Sequence, residues 1–361
     1  MPKARTSKSD SEAVPERSED VIDREVTPSF FGVSDDEQSP RSLHHAKEFV
    51  DLAFRRVTTA AGSIVLGIML LVGLFLLYQG YNALEVAGGN FFTEVKWDPN
   101  SGEFGIAAVL TGTILVALTA IFFAVPLALG TALYISEYAP AQIKRGLVTL
   151  VDLMAAVPSV VFGLWGVFFL TPAILPVSEW ISTYFGWIPI FAVEGFDPSD
   201  PLATPTVFTA STFIAGIVVA LMVAPITSSI MREVFSQAPL GEREGALALG
   251  ATRWGMIRSV VLPFGRGGMI GGTMLGLGRA LGETIAVFLI ISPVFVIQTR
   301  ILEKGSNSIS ALIALRYSEA SAFEISALMA AGLALFLMTL VINFAASSII
   351  ARSRSGGVSD G

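Results

Sequence analysis

Two charged residues, Arg279 and Glu283, stand four positions apart inside a long apolar run. Charges at membrane depth are costly and ordinarily face a bundle interior or a watery path. The planar donor fork of an arginine suits a tetrahedral oxyanion. A carboxylate beside it can accept the proton that phosphate still carries near neutral pH, and would repel a fully ionised anion such as sulfate. Ser159, in another apolar run, could donate to an anion, although a helical hydroxyl more commonly bonds its own backbone. The four-residue spacing equally allows Arg279 and Glu283 to neutralise each other along one helix and serve packing alone.

The segment that carries this pair must be a helix in close contact with another. Gly268, Gly272 and Gly276 recur every four residues, a small-residue stripe that lets a neighbouring helix approach. Arg279 and Glu283 are expected to continue that face. Before the stripe lies a polar-flanked loop, Glu244 to Pro263, reading EGALALGATRWGMIRSVVLP. Glu244 to Leu249 reads as a short helix with Ala246 among its apolar positions. Gly250 can take the left-handed conformation that ends it. Thr252 is placed to cap a second helix, which runs through Leu262 until Pro263 marks the next break. Apolar and basic faces held together at a membrane surface need a covering partner, or else lie on lipid.

The wider chain supplies the membrane. Its 361 residues are 53% hydrophobic and 15% charged, where a soluble domain carries about a quarter charged. Apolar runs longer than about 18 residues predict six transmembrane helices, over roughly 57–78, 106–135, 147–170, 207–230, 267–297 and 323–350. Lysine and arginine place the termini and the Glu244–Pro263 loop in the cytoplasm. The third span carries Pro158 at its middle, and the loop from Thr171 to Thr206, with Trp180, Tyr184 and Trp187, falls outside. Its apolar parts are consistent with a short re-entrant or surface helix. Asp152 could pair with Arg232 or with the loop's basic residues. Residues 1–54 form a polar cytoplasmic tail that cannot build a core. Residues 55–104 hold the first span and an external loop, 105–350 the transport core with its loop at 236–263, and 351–361 a cytoplasmic tail.

Several chemistries are excluded or disfavoured. There are no cysteines, hence no disulfides, thiolate sites or cysteine nucleophiles. The only histidines, His44 and His45, sit in the polar tail, and no metal-ligand cluster or nucleophile–base arrangement appears in the spans. The net charge of −7 is distributed by membrane side and gives no reason to expect a nucleic-acid partner. No phosphate-cradling Gly-rich Lys-Ser/Thr loop is present, so this chain does not hydrolyse ATP.

The order Glu244, Gly245, Ala246, Gly250, Val260, Leu262, Pro263 resembles the EAA loop of permease subunits of ATP-binding-cassette (ABC) importers. The pattern usually has Ala at Gly245 and often Ile at Val260. That resemblance implies an all-α, type I importer permease fold whose coupling helices dock into a groove on a cytoplasmic ATPase. A second signature is sharper: Gly271-Gly272, then Leu275-Gly276-Leu277-Gly278-Arg279-Ala280-Leu281-Gly282-Glu283-Thr284. Together with Ala156 to Gly163, Met231-Arg232-Glu233 and Leu247 to Trp254, it resembles the Pst family of phosphate-import permeases, over about Gly105 to Ile350. The separate first span and its preceding tail resemble the C-type subunit. Membership implies a prokaryotic plasma-membrane protein with a substrate pathway at Arg279, Glu283, Thr284 and Ser159. It also implies an A-type permease partner, two ATPase subunits that hold ATP and Mg, and an external phosphate-binding protein, with no cofactor on this chain. The alternatives left open are a permease for molybdate, tungstate or sulfate, and an ion-coupled secondary transporter.

Overall fold

The computed structural model describes residues 49–196 and 204–354. The expected N-terminal tail, to residue 48, and the last seven residues of the C-terminal tail lie outside them. The chain divides after Gly62. In the first unit the opening turns of α1 (Phe49–Ala87) carry Thr58 and Thr59, whose hydroxyls donate to the Phe54 and Arg55 carbonyls at 2.9 and 2.8 Å. The second unit holds everything from Ser63 onward.

Six helices among the described residues are long and apolar enough to span a membrane. Two of them form the hub. In α2 (Ala107–Leu133), Ala120, Ala124, Ala128 and Ala132 repeat every fourth residue and are fully buried. This flat ridge lies against α6 (Thr212–Ser236), where a Cβ on Gly216 would fall 2.5 Å from Thr119. Such small-residue seams give helices in lipid their van der Waals contact, since apolar burial alone offers no drive there.

The third span differs from its expectation. An amphipathic helix α3 (Ala141–Ala155) ends before Pro158, and a new helix starts at Ser159 as α4 (Ser159–Trp165). A π-helical turn joins it to α5 (Thr171–Phe185), so the spanning element is Ser159–Phe185. Pro158 therefore opens the span instead of interrupting it, as suits a residue without an N–H donor next to the first helical turn. The stretch from Thr171, expected as an external loop, is the far half of this span. Trp180, Tyr184 and Trp187 cluster at its end, all exposed.

Outside the helices, strands β1 (Trp97–Asp98) and β2 (Glu103–Phe104) pair as a small antiparallel hairpin. Its Trp97 and Phe104 stack edge-on, and Phe104 also meets Phe323, at the start of the last span, α12 (Ala322–Arg354).

Candidate transport site and its coupling loop

The loop after α6 folds as its capping residues dictate. Helix α7 (Leu240–Ala248) is stopped by Gly250 at φ 87°, where the Gly250 and Ala251 amides return to the Leu247 and Ala246 carbonyls. Thr252 then caps α8 (Arg253–Met256), its hydroxyl accepting from the Gly255 amide at 3.1 Å. Pro263 does not break the chain. A π-turn over Ile257–Val261 leads directly into α9 (Leu262–Gly282), giving one helix from Arg253 to Gly282. The turn widens the bonding register just before Pro263, so its missing donor falls where the ladder has already shifted.

The loop has two faces. Met256, Ile257 and Val261 are buried in the core with Met231 and Phe235. Leu240, Leu247, Leu249 and Trp254 point outward, Leu249 being 91% exposed. Glu244 and Gly245 are exposed and Ala246 is half-buried. Sequence reading missed the contacts that hold the loop. The Arg243 guanidinium donates to Glu137 at 3.2 Å and to the Phe235 carbonyl. Arg253 donates to the Glu137 carbonyl at 3.4 Å and lies 5.9 Å above the Tyr138 ring. The available signal was Glu137 itself, the lone acid between Ala107 and Gly146. Nearby, the Ser229 hydroxyl bonds Asp152 at 3.5 Å and accepts from Arg232 at 3.1 Å, so a serine bridges the pair whose partners the sequence left open.

The glycine stripe packs against α6, as its spacing requires. A Cβ on Gly268 would meet Val234 at 2.4 Å, one on Gly272 the Thr227 carbonyl at 3.2 Å, and one on Gly276 Thr227 and Val223 at 2.7 Å. The stripe extends backward to Gly265, against Phe235, and forward to buried Ala280. Arg279 and Glu283 do not continue it, and they are not an ion pair. The helix ends at Gly282, and Glu283 takes an extended backbone with ψ 128°, which removes the i,i+4 geometry that pairing needs.

This break is the polar centre of the molecule. The Glu283 side chain is buried and accepts from the Ala286 amide at 3.5 Å, at the first turn of α10 (Ile285–Ile290). The Thr284 hydroxyl donates to the Gly282 carbonyl at 3.1 Å. The Glu283 carbonyl, freed from the helix, accepts from buried Ser310 at 2.7 Å. Ser310 belongs to α11 (Ile309–Arg316), and broken backbone at membrane depth persists where protein supplies such a partner. Helix α10 runs parallel to α4: a Cβ on Gly163 would lie 3.0 Å from the Ala286 Cα, and one on Gly166 2.9 Å from Ile290. That register sets Ser159 and Thr284 at the same ends of two adjacent helices; the Glu283 carboxylate caps the α10 end, while the α4 end has no side-chain cap and keeps the positive potential of a helix N-terminus. Arg279 stands apart. It lines an open cavity of about 540 Å³ with Thr339 and Asn343 of α12, and no carboxylate among the described residues lies within 4.0 Å of it.

Beyond the spans, Arg300 bonds Glu194 and, at 2.9 Å, Glu303. The Arg300 hydrogen bond and charge hold the Glu194 carboxyl below its ordinary range.

A multi-pass inner-membrane permease of binding-protein-dependent transport is the class that this bundle and loop define. The family described as "Binding-protein-dependent transport system inner membrane component" matches residues 124–355. The chain belongs to the family of phosphate transport system permease proteins, PstC. It is 40% identical over 300 residues to phosphate transport system permease protein PstC 2 of Mycobacterium tuberculosis, covering 82% of this chain and 90% of that one. With PstC of Xylella fastidiosa the identity is 37% over 319 residues, covering 88% and 95%. In fold it is similar to a chain of the bacterial alginate ABC transporter solved with its pentasaccharide-bound periplasmic protein. That match has a TM-score of 0.55 at 19% identity and covers 85% of this chain and 98% of the other.

Proposed function

We propose that this chain is one permease half of an ATP-driven importer of inorganic phosphate. The observation that carries the reading is the broken fifth span: Glu283 and Thr284 interrupt the helix beside the start of α4, in a chain whose relatives are phosphate permeases. The N-terminus of α4 and the Ser159 hydroxyl offer donors to an anion, with Thr284 beside them at the break. Arg279, without a carboxylate partner among the described residues, attracts it, and Glu283 accepts the phosphate proton.

The other half of the pathway is an A-type permease. Two cytoplasmic ATPase subunits hold ATP and Mg and grip the Glu244–Pro263 loop, whose outward Leu247, Leu249 and Trp254 form an apolar surface of the kind a partner covers. The termini and this loop are cytoplasmic, and a phosphate-binding protein delivers substrate from outside. ATP favours one of two states of the bundle, and that preference drives the cycle.

The test is labelled phosphate uptake into proteoliposomes holding the complete importer, with ATP inside and binding protein outside. ATP-dependent uptake that resists excess sulfate and molybdate is expected. Uptake of another oxyanion in its place, or uptake that follows an ion gradient without ATP, would overturn the reading.

A further inference from the structure

Helix α7 has no buried residue; half-buried Ala246 packs against the core, and polar contacts supply the rest of what holds the first helix of the loop to the bundle. Arg243 supplies most of them. Its guanidinium meets Glu137, in the π-turn that closes α2, at 3.2 Å. It also donates to the carbonyl of Phe235, in the last turn of α6, where carbonyls lack helical donors. The pair is shielded from water: the Arg243 side chain is 15% exposed and that of Glu137 4%. The Glu137 carbonyl is held in addition by Arg253, from the second helix of the loop. One guanidinium therefore joins the loop to the ends of α2 and α6, the two helices that form the hub of the bundle.

We infer that the Arg243–Glu137 pair is the positioning contact through which movement of the coupling loop is passed to α2 and α6. The inference rests on the ATP-driven reading above. A partly buried charge deprived of its partner is strongly unfavourable, so an unpaired Arg243 or Glu137 would loosen the hold of α7 on the ends of α2 and α6. The ATPase would then still hydrolyse ATP, while the pathway would fail to alternate.

The experiment measures phosphate taken up per ATP hydrolysed by the complete importer in proteoliposomes, for the wild type, Glu137→Arg, Arg243→Glu and the double reversal. Each single reversal is expected to lower the ratio about tenfold, inside the range of ordinary coupling energies, with ATP hydrolysis retained. The double reversal restores the charge pair but not the donor to the Phe235 carbonyl, so it is expected to recover the ratio in part. Unchanged ratios in both single variants, or a double reversal no better than either, would overturn the inference. Should the reversals fail to accumulate, Glu137→Gln and Arg243→Gln carry the same comparison, and a wild-type ratio in both would refute it. A contribution to stability alone would reduce the amount of protein and leave the ratio untouched. A wild-type complex that moves no phosphate with ATP would instead sink the function proposed above, whatever the variants do.

Discussion

Replacing Gly276 by alanine tests how closely the fifth span must approach the fourth. The new Cβ would stand 2.7 Å from both the Thr227 hydroxyl oxygen and a Val223 methyl carbon, about an ångström inside ordinary contact. Alanine itself favours a helix over glycine by about 1 kcal/mol. Overpacking a tight site costs about 1–3 kcal/mol. Thr227 has little room to yield, because its hydroxyl bonds the Gly272 carbonyl at 3.3 Å and its residue is fully buried. The net effect at Gly276 is thus between neutral and a loss of about 2 kcal/mol. Gly271, on the same helix, has nothing within 4 Å of its built Cβ, so Gly271→Ala keeps the helix gain of about 1 kcal/mol. The two variants should differ by about 1–3 kcal/mol, Gly271→Ala being the more stable. The assay is the thermal midpoint of the purified chain in detergent. A midpoint for Gly276→Ala equal to or above that of Gly271→Ala would refute the close-packing argument.

Two other outcomes follow from particular contacts. Ser310→Ala removes the donor to the buried Glu283 carbonyl and should destabilise the chain by about 1–3 kcal/mol. It should also cut uptake more than Ser347→Ala, an exposed serine bonded within its own helix; equal effects in an uptake assay would deny Ser310 its place at the break. Beyond the spans, Glu194 has its carboxyl depressed below 4.5, chiefly by the Arg300 hydrogen bond. A lowered carboxylate pKa contributes stability that is complete above the ordinary value and is lost as pH falls through the depressed one. The protection factor of the Ile301 amide, which bonds the Ile190 carbonyl, should therefore be constant above the ordinary carboxylate range and fall as the pH drops below it. The same acid response in Arg300→Gln would rule out this cause.

How much of this was legible in the sequence depended on the range of the interactions involved. The helix–turn–helix from Leu240 to Met256 was readable because its determinants are local: Gly250 ends one helix and Thr252, two residues on, caps the next. The glycine stripe was readable because one helix period encodes one face. The third span was misplaced because Asp152 alone interrupts the apolar run from Leu147 through Leu170 with a charge, and the break before Pro158 decides where the spanning helix starts. The continuity through Pro263 was missed because the π-turn that accommodates it has no composition signal. At Glu283 local spacing misled. Four residues after Arg279, it fits a helical pair, but the backbone turns there and is held by Ser310, 27 residues further along the chain. Arg243 and Glu137 are separated by 106 residues, so their meeting depends on the packing of α2 with α6 and could not be read from either segment.

We propose that an oxyanion crosses this permease beside Arg279, which has no carboxylate partner among the described residues, and the broken fifth span. The most direct measurement compares ATP-driven phosphate uptake by importers carrying Arg279, Arg279→Lys and Arg279→Gln, with ATP hydrolysis recorded in parallel. Loss of a charged hydrogen-bonding partner of the moving anion should slow uptake by about tenfold or more in Arg279→Gln. Arg279→Lys should fall between it and the wild type, because a lysine keeps the charge but not the planar fork. Wild-type uptake by Arg279→Gln, at unchanged ATP hydrolysis, would exclude Arg279 from the anion path.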